Sequence, residues 1–357
     1  MWSDHSCITL YIKHLSEKER GNGHWKFNSS LLKDAKYTEE MEAHLIKWVD
    51  EFNDMENKHI AWELLKYHIR KFLITFSSIK KMNRMKLESD LEKQLKYLEG
   101  KLSENVNLFQ EYENVKIQLK EIETEKAKGS IIRSKAQFVE EGEKSTKYFY
   151  NLEQSNYLKK HMRKLKLDSG AITTDQAEIL KYQREFYKKL YSSERNDEID
   201  YDAFLNDPSL PKLTEFQRQT CEQDLTLEEC QLSLKTFAKN KSPGTDGINV
   251  EFYDYFWGII GIPMYQCFIY SFEHGELIGN SQRQAIITLL EKPGKDRQLI
   301  KNWRPISLLN HDFKILTKAL SLRIRKVLPD IIHHNQSGYV DGRYIGDSIR
   351  LVQDVME

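Results

Sequence analysis

The residues best suited to chemistry are the lysines and arginines of segment 281–326, where 11 basic side chains stand against 3 acidic ones. Within it, stretch 285–308 holds two β-prone runs around Pro293-Gly294 and a basic connector. Proline followed by glycine favours a type II turn, which predicts a hairpin with cations near its tip. Such cations suit a ligand that carries phosphates. The alternative is a solvated hairpin with ordinary surface lysines.

Two further groups contain residue types that are common in active sites. Asp4 and His5 form a dyad that could orient a base or bind a phosphate, although a simple turn before a strand explains them as well. His333 and His334 suggest a metal, but adjacent side chains on a loop do not easily share one ion, and no third ligand stands at metal spacing. We therefore expect no metal site in this chain.

Composition places the chain inside a cell and away from membranes. The 54 basic and 54 acidic residues cancel, yet segment 197–229 alone carries a net charge of −8. The four cysteines, Cys7, Cys221, Cys230 and Cys267, show no paired spacing, which fits a reducing compartment. No apolar stretch reaches the 18 residues of a membrane span. We expect a cytoplasmic or nuclear location, or both, and no membrane partner.

The elements that must position the hairpin begin with a helical arm over 39–127. Apolar residues recur there at spacings of three and four, which predicts two long amphipathic helices. The polar stretch 80–84 is the expected break, giving an antiparallel hairpin or coiled coil that closes at Gly129-Ser130. Self-association through this arm is a further expectation.

Segment 130–195 interleaves cations with aromatic residues, among them Lys144 and Lys147 beside Tyr148 and Phe149. That pattern suits stacking on bases and contact with phosphates, or else an amphipathic helix whose aromatic residues face a core. A short hairpin is predicted around Asp168-Ser-Gly170, followed by a helix that Asp175 caps. Segment 196–225, acidic and containing Pro208 and Pro211, is predicted to be a linker.

Segment 226–357 surrounds the hairpin with helices and two constrained loops. Thr226-x-x-Glu229 is a capping box, and Asp246 in loop 242–247 can hydrogen-bond its own backbone. Asn310 is the expected cap of the helix after the hairpin, and Pro263 is expected in a first helical turn. The helices predicted here cover 226–237, 248–257, 263–274, 310–329 and 344–357.

Seven short motifs follow one another in an order that identifies a family. They are Ser242-Pro-Gly-Thr-Asp-Gly247, Glu251-Phe-Tyr253, Lys292-Pro-Gly294, Trp303-Arg-Pro-Ile-Ser-Leu-Leu-Asn310, Lys314-Ile-Leu316, Gln336-Ser-Gly-Tyr339 and Gly342-Arg343. Together they resemble the reverse transcriptase of LINE-type, non-LTR retrotransposons. Upstream, 140–153 is similar to the segment before those motifs. Residues 3–5 and 23–32 resemble the last strands of the same polyprotein's endonuclease domain.

The resemblance implies a fold and a division into domains. The fold is expected to be α+β and helix-rich: a long antiparallel helical arm followed by the fingers portion of a right-hand polymerase, with an incomplete palm. The implied domains are an endonuclease remnant (1–32), the arm (39–127), a basic-aromatic N-terminal extension of the polymerase (130–195), an acidic linker (196–225) and the fingers part of the reverse transcriptase (226–357).

The resemblance also implies roles for single residues. Arg304 and Lys292 are expected at the incoming deoxynucleoside triphosphate, and a further group is expected along an RNA template paired with a DNA primer. That group comprises Lys295, Arg297, Gln336, Gly338 and Arg343, with Lys144 and Lys147 upstream. Asp4 and His5 match only the end of the endonuclease, whose metal-binding carboxylates would lie upstream.

Polymerase chemistry needs carboxylates that hold two Mg²⁺ ions, and in this family they include an Asp-Asp pair. The 357 residues contain no such pair. We therefore expect a fragment without catalytic residues or cofactor of its own, inactive alone, although the complete polymerase would use Mg²⁺. Two alternatives remain: a non-catalytic RNA-binding remnant that uses 130–160 and 285–343, and a coiled-coil interaction module over 39–127.

Overall fold

A computed structural model describes residues 23–101, 108–134, 161–193, 210–276 and 279–356. The predictions for Asp4, His5, Lys144 and Lys147 lie outside these ranges. The α-helices in chain order are Ala35–Asn53 (α1), Lys58–Lys101 (α2), Phe109–Ser134 (α3), Gln176–Leu190 (α4), Glu215–Glu222 (α5), Leu227–Lys235 (α6), Val250–Tyr255 (α7), Trp257–Glu273 (α8), His311–Ile331 (α9) and Ile345–Met356 (α10). Strands Leu165–Lys166 (β1) and Ile172–Thr173 (β2) form one antiparallel pair, and Ala285–Glu291 (β3) and Trp303–Leu309 (β4) form another. The helix-rich α+β prediction is confirmed.

The helical arm is present, but its break lies elsewhere than predicted. Helix α2 runs without interruption for 44 residues through 80–84, so the predicted break there was wrong. That stretch holds neither glycine nor proline, and its lysines and arginine are good helix formers. Helix α2 instead begins after a break at 54–57, where Asn57 Oδ1 accepts a hydrogen bond from Ile60 N at 3.0 Å, and it ends at Lys101, before α3. Helix α3 also continues beyond Gly129, where the arm was expected to close.

The second half of α2 and α3 form the antiparallel pair. Leu91, Leu98 and Val115 are buried between them, and Gln94 donates to Glu111 at 3.0 Å. The ion pair of Lys126 with Glu88 fixes the other end of the same register. These apolar residues, which could have packed against a second copy of the chain in a coiled coil, pack here within a single chain.

The first half of α2 belongs to the main core. Trp62, Leu65, Ile69 and Leu73 are each at most 2% exposed and pack with residues of α1 and of α6 to α9. Their spacing of three and four places them on one face of the helix. The arm therefore has two parts with different partners: a root within the core, and a tip made with α3.

Residues 23–27 lie against loop 242–247, the first of the family motifs. Phe27 N donates to Gly247 O at 2.9 Å, and His24 Nε2 lies 2.6 Å from Gly244 O. Gly247 has φ +75°, and a Cβ there would stand 2.5 Å from the ring and carbonyl of Trp25. As predicted, Asp246 Oδ1 accepts a hydrogen bond from the backbone, here from Ile248 N at 3.0 Å. Loop 242–247 is therefore held both by residues 24–27 and by the side chain of its own Asp246.

The predicted caps are mostly confirmed, whereas the predicted effects of Pro263 and Pro329 were wrong. Asp175 caps α4, and Thr226 forms the complete capping box of α6. Pro263 lies inside α8 instead of in its first turn, because α8 already begins at Trp257. Pro329 does not end α9, which continues to Ile331. Helix α5 lies within the stretch that we predicted to be a linker.

Candidate nucleotide and nucleic-acid interface

The basic hairpin forms as predicted. Strands β3 and β4 pair from Ala285 opposite Leu309 to Glu291 opposite Trp303. Lys295 N donates to Lys292 O at 3.2 Å and Gly294 has φ +72°, as a type II turn requires. This turn opens a longer connection, 292–302, which Lys292 N closes by donating to Asn302 O at 2.9 Å.

Arg304 projects from β4 into solvent. It pairs with Leu290 across the hairpin and is exposed, whereas Trp303 before it is only 3% exposed. Successive side chains of a strand point to opposite faces, so burial of Trp303 directs Arg304 outward. Among the described residues, none forms a hydrogen bond or ion pair with its guanidinium. That group is free to bind an anion.

The other cations of the connection differ in how far they are engaged. Lys292 Nζ donates to Lys301 O at 2.8 Å. Arg297 pairs with Glu291 at 2.5 Å, and its guanidinium lies 5.6 Å from the centre of the Trp303 ring. Lys295 is exposed, and within the described ranges no side chain pairs with it. Two cations are therefore anchored, while Lys295 and Arg304 have no partner among the residues that the structure describes.

A small apolar cluster fixes the connection from the side of segment 161–191. Leu165, Ile179 and Tyr187 pack with Ile300 and Trp303 of the hairpin. Lys166 N adds a hydrogen bond to Gln298 O at 2.9 Å, and Trp303 Nε1 donates to Arg297 O at 2.8 Å. These contacts hold the connection in one shape, although it carries little regular structure of its own.

Loop 333–343 is shaped by Arg343. Its Nη1 donates to His333 O and Gln336 O, at 2.7 and 2.8 Å, and its Nη2 donates to Pro329 O and Ile332 O, at 2.7 and 2.8 Å. A guanidinium has five N–H groups, and four of them are used here. The structure thus brings together Arg343 and Gln336, two of the predicted template residues. Gln336 itself is exposed, and a side chain on Gly338 would meet no neighbour within 4 Å.

A buried ion cluster lies where the hairpin leaves the core, and sequence reasoning missed it. Lys66 Nζ lies 2.8 Å from Asp312 Oδ2, 2.9 Å from Asp246 Oδ2 and 2.8 Å from Ser281 Oγ. Trp62 Nε1 donates to the same oxygen of Asp312 at 2.9 Å. The available signal was the position of Lys66 on the apolar face of α2, four residues after Trp62.

Lys66 and Asp312 stabilise each other's charged forms. Burial alone lowers the pKa of Lys66, but the charges of Asp312 and Asp246 and the hydrogen bond to Asp312 outweigh it, and the net pKa is raised. For Asp312 burial raises the pKa, whereas the charge of Lys66 and the hydrogen bonds from Lys66 and Trp62 lower it overall. Lys66 is thus an ammonium and Asp312 a carboxylate at neutral pH.

Comparison with known proteins identifies the family. A family model described as reverse transcriptase (RNA-dependent DNA polymerase) matches residues 290–356. The transposon TX1 uncharacterized 149 kDa protein of Xenopus laevis is 33% identical over 360 residues, which cover 99% of this chain. The two matches support a reverse transcriptase-like domain from a non-LTR retrotransposon protein. The chain spans 27% of the length of that relative.

Because reverse transcriptases bind Mg²⁺ through clustered carboxylates, we asked whether Asp246 and Asp312 could form such a site. Asp246 and Asp312 are close, but Lys66 already lies between them and occupies the position of a cation. No cluster of three or more His, Cys, Asp or Glu side chains suited to a metal occurs in the described ranges. The residues that are described therefore do not fit the catalytic Mg²⁺ of this family. Nor does any helix among them have the length and apolarity to cross a bilayer.

Proposed function

We propose that this chain supplies the fingers portion of a retrotransposon RNA-directed DNA polymerase, which contacts the template and the incoming nucleotide. Arg304 and Lys292 contact the triphosphate, and Lys295 and Arg297 contact the template strand. Loop 333–343 lies along the template backbone through Gln336, Gly338 and Arg343. The observation that carries the proposal is the exposed, unpaired guanidinium of Arg304 beside the buried ring of Trp303.

The geometry supports a phosphate ligand for physical reasons. A guanidinium can donate two parallel hydrogen bonds to phosphate oxygens, and such charge-assisted bonds are stronger than neutral ones. Because Trp303 is packed, the backbone at Arg304 loses little freedom when a ligand binds. The ammonium of Lys292 spends one of its three donors on Lys301 O and keeps two for an anion.

Binding of a Mg²⁺-bound, fluorescently labelled deoxynucleoside triphosphate, with template and primer present, tests the proposal. Arg304→Ala should weaken binding by about tenfold to a hundredfold, because hydrogen bonds to a charged group contribute about 1.5–3 kcal/mol. Lys301→Ala removes an equal charge from the same hairpin, yet keeps the carbonyl that anchors Lys292, and should have little effect. Equal losses in both variants would reject a specific role for Arg304.

We propose further that the 357-residue polypeptide alone does not extend a primer. Two-metal phosphoryl transfer needs clustered carboxylates, and the chain contains no Asp-Asp pair. The experiment is primer extension with purified polypeptide, Mg²⁺, template-primer and all four nucleotides. Synthesis above a no-protein control would refute this part of the proposal and leave the binding role standing.

A second candidate function, RNA binding without catalysis, is favoured by helix α4. Lys181, Arg184 and Lys188 stand at spacings of three and four and are all exposed, on the face opposite the buried Ile179 and the half-buried Phe186. Among the described residues these three cations have no partners. RNA affinity should then fall with salt, with a log–log slope of about −0.7 per phosphate neutralised on a single strand. Salt-independent or absent RNA binding would reject it.

The state of the cysteines supports an intracellular setting, in cytoplasm or nucleus. Cys221, Cys230 and Cys267 are free thiols, and Cys230 and Cys267 are buried. Burial raises the pKa of each of these two thiols to about 12, which keeps them protonated. Unpaired thiols are the normal state in a reducing compartment.

A further inference from the structure

The two ends of the basic hairpin meet at one buried polar cluster. Ser281 precedes β3 and Asn310 follows β4, and Asn310 Nδ2 donates to Ser281 O at 2.7 Å. Asn310 Oδ1 also accepts from Asp246 N at 3.2 Å, so loop 242–247 is tied to the same point. This explains why Asn310 makes no capping hydrogen bond to α9: its side chain is engaged at the root of the hairpin.

Lys66 is the cation at this root. Its ammonium contacts Ser281 before β3, Asp312 in the first turn after β4, and Asp246 in the loop. The contact with Asp246 is an ion pair without an aligned hydrogen bond. Lys66 comes from α2, which lies upstream of the matched region 290–356. Helix α2, which lies outside that region, therefore contacts the residue before β3, the first turn after β4 and loop 242–247.

We propose that Lys66 is a positioning residue for the phosphate-binding hairpin, fixing the direction in which β3 and β4 leave the core. The inference rests on the proposed function for its consequence at the nucleotide. Arg304 lies six residues from Asn310 along β4, which is about 20 Å at the usual rise of an extended strand. If the hairpin tilts by about 3° at Asn310, Arg304 moves by about 1 Å. A misplacement of 1 Å can lower the rate of an enzymatic reaction by about a hundredfold.

The competing interpretation is an ion cluster that only adds stability. A matched control separates the two. Leu73 lies on the same face of α2, seven residues after Lys66, and is fully buried in the apolar core, where its side chain can form neither ion pairs nor hydrogen bonds. Leu73→Ala should lower stability as Lys66→Met does, yet it leaves the contacts of Ser281, Asn310 and Asp312 in place.

The experiment is hydrogen exchange on the full chain, read separately for peptides that cover 285–291 and 303–309. We expect Lys66→Met to speed exchange there by tenfold or more relative to Leu73→Ala, after both are matched for distance from their melting temperatures. Ser281→Ala removes the hydroxyl that accepts from Lys66 and donates to Glu63, while both carboxylates keep Lys66, so it should fold and show a smaller effect in the same peptides. If the hairpin exchanges in Lys66→Met and Ser281→Ala as it does in Leu73→Ala, the proposal is overturned.

Triphosphate binding supplies the second readout. Lys66→Met should weaken binding of the Mg²⁺-bound labelled nucleotide by at least fivefold at a temperature where the variant is folded, whereas Leu73→Ala should match the unmodified chain. If the unmodified chain binds no nucleotide, the proposed function fails, and the exchange result still decides the role of Lys66. Normal binding by folded Lys66→Met would show that the cluster does not position Arg304.

Discussion

Arg323 offers the sharpest test of how the helices around the hairpin are held. Its side chain is 5% exposed and forms a two-pronged ion pair with Glu229, at 2.7 Å from Nε and 2.6 Å from Nη2. Nη2 also donates to Asp224 O at 2.6 Å, and Nη1 donates to Gln223 O. Since Glu229 is the acidic member of the capping box of α6, one guanidinium joins α9, the start of α6 and the chain before it.

Replacing Arg323 with alanine should destabilise the protein substantially. Breaking a buried ion pair from one side costs about 3–5 kcal/mol, because the remaining charge stays desolvated. Glu229 is 25% exposed and keeps its hydrogen bonds at Thr226, which places the loss near the lower end, about 3 kcal/mol. At about 2–4 °C per kcal/mol for a domain of 150–250 residues, the melting temperature should fall by about 6–12 °C.

A matched control lies two residues away on the same helix. Arg325 forms the same kind of two-pronged pair with Asp341, but its side chain is 54% exposed and that of Asp341 is 50% exposed. Because exposed pairs contribute little, Arg325→Ala should leave the thermal transition nearly unchanged. If calorimetry or circular dichroism shows equal shifts for the two variants, burial is not what makes the Arg323 pair important.

The Arg323 pair should also set a pH dependence. The hydrogen bond from Arg323 lowers the pKa of Glu229 despite its partial burial. A carboxyl whose pKa is lowered in the folded state contributes stability above its unfolded pKa of about 4.3, and that stability is lost as pH falls further. The difference in unfolding free energy between the unmodified chain and Arg323→Ala should therefore be constant near neutrality and shrink below about pH 4. A difference that stays constant to pH 3 would contradict the assignment.

Two further predictions concern the loop and the hairpin. Gly247→Ala should destabilise by more than about 1 kcal/mol in urea unfolding, because φ +75° is unfavourable for alanine and the new Cβ would collide with Trp25; Gly170→Ala, also at positive φ but with open space around it, should cost less. Trp303→Ala should cost about 3–5 kcal/mol through lost packing and weaken nucleotide binding at Arg304, whereas Tyr191→Ala, at a position 60% exposed, should change neither. Unchanged binding by folded Trp303→Ala would show that the packed ring does not orient Arg304.

The features that sequence predicted correctly depend on residues within a few positions of one another. The Thr226 capping box and the Asp175 cap each join groups two or three residues apart. The Pro293-Gly294 turn is decided by the dihedral angles of its own two residues. Even so, the turn revealed only where the connection starts, since the packing of Trp303 and Ile300 on segment 161–191 determines its remaining shape.

The predictions that failed concern competition between local signals and packing. The basic stretch 80–84 looked like a break, but no helix-breaking residue lies within it, and α3 packs on the helix that follows. Pro263 was given the first turn of a helix because proline is favoured there. The apolar residues from Trp257 onward bury themselves against the core, and this extends α8 upstream of the proline.

Lys66 marks the limit of what sequence could show. Its place on an apolar helix face can be read from spacing, and a buried lysine requires an acidic partner. Which acids it meets cannot be read, because Asp312 lies 246 residues away and Asp246 lies on a third segment. The sequence therefore indicated an arm without chemistry, where the structure has an arm whose root touches the proposed nucleotide-binding element.

The ion cluster around Lys66 also shows that residues upstream of the matched region contact the hairpin. Region 290–356 is the part that matches the family model, yet its residue Asp312 is buried against Lys66 and Trp62 of α2. Without α2, Asp312 would lose its hydrogen bonds from Lys66 and Trp62, and the core residues that pack on Leu65, Ile69 and Leu73 would be exposed to water. Residues 24–27 similarly close loop 242–247 from upstream. The contacts that hold the hairpin and loop 242–247 therefore include residues 24–27 and the first half of α2, both upstream of region 290–356.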